Sequence, residues 1–157
     1  MKVELNLKDK NYIEQVIYLR YLMQHEEKGI DIFKLENNKE EIMLKISNYV
    51  YKHLGNDLHI FTYIKDDIVI SMCSLLVFEY MPDWHNNNAL KGVISGVYTR
   101  EEHRGLGYQK TVMKTALDKA NELNINQLMV NTNNEIAAKL YESVGFKKSE
   151  NSYKLRF

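Results

Sequence analysis

The stretch Val97-Tyr98-Thr99-Arg100-Glu101-Glu102-His103-Arg104-Gly105-Leu106-Gly107-Tyr108-Gln109 joins two different periodicities. Before the glycines, residues 92–99 are rich in β-branched and aromatic side chains and read as a strand. After them, Val112, Met113, Ala116, Leu117 and Ala120 trace one face of a helix. Residues 127–131 then form a short apolar run of strand length. Strand, helix and strand in this order make a right-handed crossover, so the two strands are expected to lie parallel and adjacent.

The elements upstream pair differently. Leu58 to Ile64 and Ile68 to Tyr80 are two strands separated by Asp66-Asp67, which predicts an antiparallel hairpin. The loop from Pro82 to Asn88 leads from it into the strand at 92–99. At the start of the chain, Val3, Leu5 and Leu7 alternate as in a short strand. Two helices follow, one marked by Ile13, Val16, Ile17, Arg20 and Tyr21 and ended by Gly29. The other is marked by Ile42, Ile46, Tyr49, Val50 and His53 and ended by Gly55. Downstream, Ile136, Ala137, Leu140, Tyr141 and Val144 mark a last helix, and residues 146–157 read as strand material. The order predicts a single α+β domain over residues 1–157, with a central mixed, mostly antiparallel sheet flanked by helices and not a doubly wound one.

Composition narrows the partners. The chain has 157 residues, 45% of them apolar, and a formal net charge of zero, which argues against a nucleic-acid partner. No apolar run reaches the roughly 18 residues of a membrane span, and the N-terminus has no signal-peptide core. The lone Cys73 cannot form an internal disulfide and points to a reducing compartment, so a soluble, cytoplasmic protein is expected. The five histidines show no metal-ligand spacing, and no metal is expected.

Gly105 and Gly107, placed before a helix start, suit a phosphate site, because free N–H groups and the helix dipole both face an anion there. Arg104 and Lys110 could add charge. Read alone, the pattern more often describes an ordinary two-glycine loop. It is not a P-loop, since Arg104 and Gln109 stand at the two required glycines. Nor is it a dinucleotide fingerprint, since Lys110 replaces the third glycine and the next strand ends in Asn131-Thr132-Asn133-Asn134 with no acid.

With these excluded, residues 97–109 resemble the acetyl-CoA motif R/Q-x-x-G-x-G/A of the GNAT superfamily of N-acetyltransferases. A second block, Asn134-Glu135-Ile136-Ala137-Ala138-Lys139-Leu140-Tyr141-Glu142-Ser143-Val144-Gly145-Phe146, resembles that family's N-x-x-A-x-x-L-Y-x-x-x-G-F helix. Gln109 departs from the pattern, standing where the family usually has Gly or Ala. Its side chain either crowds the pyrophosphate or points away while its N–H still donates, and the intact neighbouring pattern favours the second.

The resemblance implies acetyl-CoA as cosubstrate and an amine acceptor, with direct transfer of the acetyl group. It implies that the strand carrying Val97, Tyr98 and Thr99 offers backbone groups to the pantetheine arm, and that a bulge there polarises the thioester carbonyl. The N–H groups of Arg104, Gly105, Leu106, Gly107, Tyr108, Gln109 and Lys110 would hold the pyrophosphate. Asn134 would bond the pantetheine amides, Ala137 would leave room, and Tyr141 would protonate the departing thiolate. Tyr141 lies seven residues after Asn134, about two helical turns and so on one face. Arg20, Tyr21, His25, Glu26, Trp84 and His85 fall where the family builds its acceptor pocket, and a homodimer fits family habit. A base is needed for a protonated amine, and Glu79 is the first choice, with Glu26 and His85 as rivals. Simple surface solvation also accounts for each of the three. A regulatory module that binds acetyl-CoA without turnover is the competing reading, since fold does not fix function.

Overall fold

Asp66 and Asp67 both adopt positive φ, 51° and 59°, and close the two-residue hairpin between β2 (Leu58–Lys65) and β3 (Ile68–Glu79). That conformation matches the right-handed twist of the flanking strands, and aspartate tolerates it better than most residues. Side chains from α1 (Lys10–Met23) hold the turn: Tyr12 Oη donates to Asp67 Oδ1 at 3.1 Å, and Gln15 Nε2 donates to the Asp67 carbonyl at 3.0 Å. The computed structural model describes residues 1–149 and 153–157.

Among these residues the strands form one sheet in the order β1-β2-β3-β4-β5, with β1 at Lys2–Glu4, β4 at Leu90–Thr99 and β5 at Gln127–Val130. Only the β4–β5 pair is parallel. Its crossover is α4 (Tyr108–Glu122), as the helical stripe beginning at Val112 predicts. The alternation along β3 divides the core into two layers. Met72 faces α1 and α3 (Lys39–His53), among Ile13, Leu19, Val50 and Ile60. Its neighbour Cys73 faces α4 and α5 (Glu135–Ser143), among Phe61, Val112, Met113 and Tyr141.

Two expectations are corrected. Between the two N-terminal helices lies a third, α2 (Ile32–Asn37), started by Asp31, whose side chain accepts from Lys34 N at 3.1 Å. This aspartate N-cap was readable, but one turn and a half of helix leaves too little periodicity to detect. The expected closing strand at 146–157 is not formed by residues 146–149 or 153–157, and residues 150–152 lie outside those described. Tyr153, Leu155 and Phe157 alternate as strand residues do, yet all three are exposed. Strand propensity makes a strand only where a neighbour supplies both a ladder and an apolar face.

Candidate active site

Arg100 anchors the chain as it leaves β4, donating through Nε to the Val69 carbonyl at 2.8 Å. A 3-10 turn at Glu101–His103 follows, then Gly105 and Gly107, and α4 begins at Tyr108. Gly107 is the helix N-cap with φ of 81°, a left-handed conformation that L side chains resist. No side chain caps this helix. Among the described residues, the backbone N–H groups of residues 105–110 have no acceptor. A run of unbonded donors at a helix start is an anion site made of backbone, and Lys110 beside it is exposed.

Gln109 turns inward. Its Oε1 accepts from Ser71 Oγ and from Thr99 Oγ1, both at 2.9 Å, and its Nε2 donates to the Met72 carbonyl at 3.1 Å. The long side chain therefore stays off the outer face of the loop and ties α4 to β3 and β4. Ser71, fully buried, shares its hydroxyl between this partner and Thr99 Oγ1, also at 2.9 Å.

The second feature is a bulge in β4. Ser74 pairs with Ser95 and Met72 with Tyr98, so Gly96 and Val97 together face Cys73. Gly96 has φ of 59°, as a bulge with a left-handed first residue requires. On the other side, β5 ends at Val130 opposite Ile94, while β4 continues to Thr99. Residues 95–99 thus leave an unpaired edge facing the gap beyond β5. An extended ligand with amide groups can complete that edge as a strand would.

Arg104 sits beside this edge but is not free. Its Nη2 meets Glu26 Oε1 at 2.6 Å, its Nε donates to the Thr99 carbonyl at 3.0 Å, and it lies over the Tyr98 ring. The hydrogen bond to Glu26 raises the Arg104 pKa. The pair is half exposed and nearly self-neutralised, so the charge expected of Arg104 toward a phosphate is already shared.

Across the gap, α5 is capped by Asn134, whose Oδ1 accepts from Ile136 N at 2.8 Å and Ala137 N at 3.3 Å. Only its amide hydrogens remain to contact a ligand. Ala137 packs beside the core layer that holds Cys73, and Tyr141, 7% exposed, lies within it. Burial first, and the neighbouring Cys73 second, push the Tyr141 phenol up to about 12. Cys73 is sealed in the core with its Sγ toward the Val112 carbonyl at 3.9 Å, and burial pushes its thiol well above the ordinary range. It is a packing residue and no nucleophile.

On the opposite face of the sheet, α1 and α3 roof a cavity of about 360 Å³ that reaches Ser95 and Gly96. The bulge is therefore where the two faces of the site meet.

A family model described as "Acetyltransferase (GNAT) family" matches residues 21–146. The chain belongs to the GNAT acetyltransferase family. It is 27% identical to N-alpha-acetyltransferase 30 of Saccharomyces cerevisiae, over 84% of this chain and 76% of that protein. A predicted acetyltransferase of Clostridium acetobutylicum, solved with acetyl-CoA, shares its fold at a TM-score of 0.79 and 18% identity, covering 99% of this chain and 95% of the other. A GCN5-related N-acetyltransferase from Ralstonia eutropha gives the same TM-score and identity, covering 99% and 97%.

This GNAT chain brings together some of the residues singled out above and scatters others. Arg20 lines the cavity, with Lys45, Tyr49, Ser74 and Ser95, none of which the sequence marked as a site residue. Tyr49 sits on the helix stripe that periodicity assigns to the core, so no signal separated it. Tyr21 and His25 pack edge to face and do not line the cavity. Glu26 serves Arg104. Trp84, 92% exposed, lies with Pro82, Asp83 and Asn87 along a separate shallow depression, and His85 stands next to it in the chain. Glu79 is exposed at the far end of β3, opposite Leu90. It is six residues from Cys73, about 20 Å along the strand.

Proposed function

We propose that this protein transfers an acetyl group from acetyl-CoA to the amine of an acceptor bound at the same time, with Tyr141 as the proton donor. The observation that carries this reading is the unpaired edge of residues 95–99, which runs between the backbone anion site at 105–110 and the Tyr141 phenol. Acetyl-CoA, when bound, supplies an acetyl group activated as a thioester. The N–H groups of residues 105–110 hold its pyrophosphate, with Lys110 adding charge. The backbone of Val97, Tyr98 and Thr99 and the Asn134 amide orient its amide-bearing arm, and Ala137 leaves space beside it. A backbone N–H at the bulge donates to the carbonyl oxygen as negative charge grows there.

Direct transfer is favoured because the chain's one thiol is buried and held protonated. Tyr141 is protonated throughout the neutral range. A thiolate whose conjugate acid has a pKa near 8.5 does not by itself strip a phenol near 12. The phenol acts as a relay, giving its proton to sulfur as the amine sheds one. General acid help of this kind is worth about 10²-fold or less when the pKa match is poor.

The test is release of free CoA thiol from acetyl-CoA with a panel of amines, peptides and polyamines. The expected outcome is turnover with at least one acceptor, and a kcat at least tenfold lower in Tyr141→Phe with acetyl-CoA affinity within about twofold of the parent. Tight acetyl-CoA binding with no thiol release from any acceptor would instead establish the regulatory module. Unchanged turnover in Tyr141→Phe would remove that residue from the chemistry.

A further inference from the structure

Arg20 is a cation in the cavity with no ion-pair partner among the described residues. It lies in the last turn of α1 and reaches the β4 bulge: its Nη1 is 3.4 Å, and its Cδ 4.0 Å, from where a Cβ on Gly96 would stand. Among the described residues, its one polar side-chain contact is the Met23 sulfur at 4.0 Å. Among the described residues no carboxylate comes within ion-pairing distance of it, whereas Arg104 has Glu26, Lys45 has Glu41 and Lys119 has Glu4. Burial lowers the Arg20 pKa, opposed by the more distant Glu27 and by Tyr49. A guanidinium does not give up its proton in a protein, so a cation partly withdrawn from water here suits a bound anion.

The rest of the cavity says what else the ligand carries. Val16, Ile46, Val50, Leu58 and Ile60 make its walls apolar. The nearby hydroxyls of Ser74 and Ser95 are bonded to each other at 2.9 Å. About 360 Å³ is room for one small molecule. The guanidinium stands at the bulge, where the acceptor amine must meet the thioester, so anion and amine are separated by only two or three bonds. One planar guanidinium matches one carboxylate.

We infer, building on the transfer reading above, that the acceptor is a free α-amino acid with an apolar side chain, its carboxylate held by Arg20. The amine nitrogen forms a bond to the acetyl carbon and the carbon–sulfur bond breaks. Of the two protons leaving the ammonium nitrogen, one balances the proton that sulfur takes and the other goes to solvent. The products are an N-acetylamino acid and CoA thiol. A peptide N-terminus, with an amide in place of the carboxylate, leaves Arg20 unanswered, and a polycationic amine is repelled by it.

The experiment measures thiol release with leucine, methionine and phenylalanine, with their amides, with 3-methylbutylamine and with a leucine-initiated peptide. The parent protein is expected to prefer each acid over its amide at least 100-fold in kcat/KM. In Arg20→Met the preference should fall below fivefold, and Arg20→Lys should lie between. The ratio is internal to each variant, so partial misfolding does not imitate the result. Calorimetry adds a readout without turnover: N-acetylleucine should bind Arg20→Met at least tenfold more weakly than the parent. Equal use of acid and amide, or a preference that survives Arg20→Met, overturns the assignment while leaving acetyl transfer intact. No release with any amine overturns both.

Discussion

On one side of the β4 bulge the groups proposed to meet a ligand are backbone: the N–H groups of residues 105–110 and the open edge of residues 95–99. On the other side they are side chains drawn from α1, α3, β3 and β4, among them Arg20, Tyr49, Ser74 and Ser95. The first half is contiguous in the chain and depends on glycines and a helix start. The second is assembled from positions up to 80 residues apart, Val16 and Gly96 being the extremes. Backbone recognition is indifferent to most substitutions, so it keeps a motif. Side-chain recognition changes with every acceptor.

The largest effect that would break this contrast is at Gly107. Valine there must adopt φ near 81° at a helix N-cap and brings a branched side chain to the anion site. Acetyl-CoA affinity measured by calorimetry is expected to fall at least about thirtyfold, or some 2 kcal/mol. Unchanged affinity would mean that the backbone site is not used.

A second effect belongs to the buried phenol between the halves. Because the folded state raises the Tyr141 pKa to about 12, the unfolded chain ionises first, near 10. Stability from this group is complete below pH 10 and declines as pH rises from 10 toward 12, by on the order of 2–3 kcal/mol. Thermal melts across that window should show a steeper loss for the parent than for Tyr141→Phe. Identical slopes would mean that the phenol is solvated in solution.

Gln109 sharpens the comparison, since it stands in the coenzyme motif but faces the sheet. Gln109→Gly should cost about 1–3 kcal/mol in denaturant unfolding, because Ser71 and the Met72 carbonyl lose a partner. Acetyl-CoA affinity should change less than tenfold. A large gain in affinity would show that the side chain obstructs the loop.

The smallest effect is expected at Glu79. Exposed and distant from the bulge, it should leave the pH–rate profile of Glu79→Gln within about twofold of the parent across the basic limb. Loss of that limb would restore it as the base, acting through water.

The strand-helix-strand unit, the hairpin and the mixed, mostly antiparallel sheet were legible because their signals are periodic and local. Asp66-Asp67 shows the limit of this: the turn is visible in the sequence, but Tyr12 and Gln15, which clamp it, sit 50 and more residues away. The closing strand was over-read because Tyr153, Leu155 and Phe157 have strand spacing without a surface to cover. In the site, Glu26 was noticed as a candidate base, while its ion pair with Arg104, 78 residues away, left no mark in the sequence.

From residue order alone came the glycine loop at a helix start, the last helix, the tyrosine two turns after Asn134, and the order of strands and helices. Each is a property of neighbours along the chain, set by φ, by free N–H groups or by helical pitch. Folding decided where Gln109 points, which residues form the bulge against Cys73, and that Arg20 comes to rest on Gly96 without a carboxylate beside it. Those outcomes depend on how close segments far apart in the chain are packed, and at that range hydrogen bonds and charges act through space while sequence spacing carries no record of them.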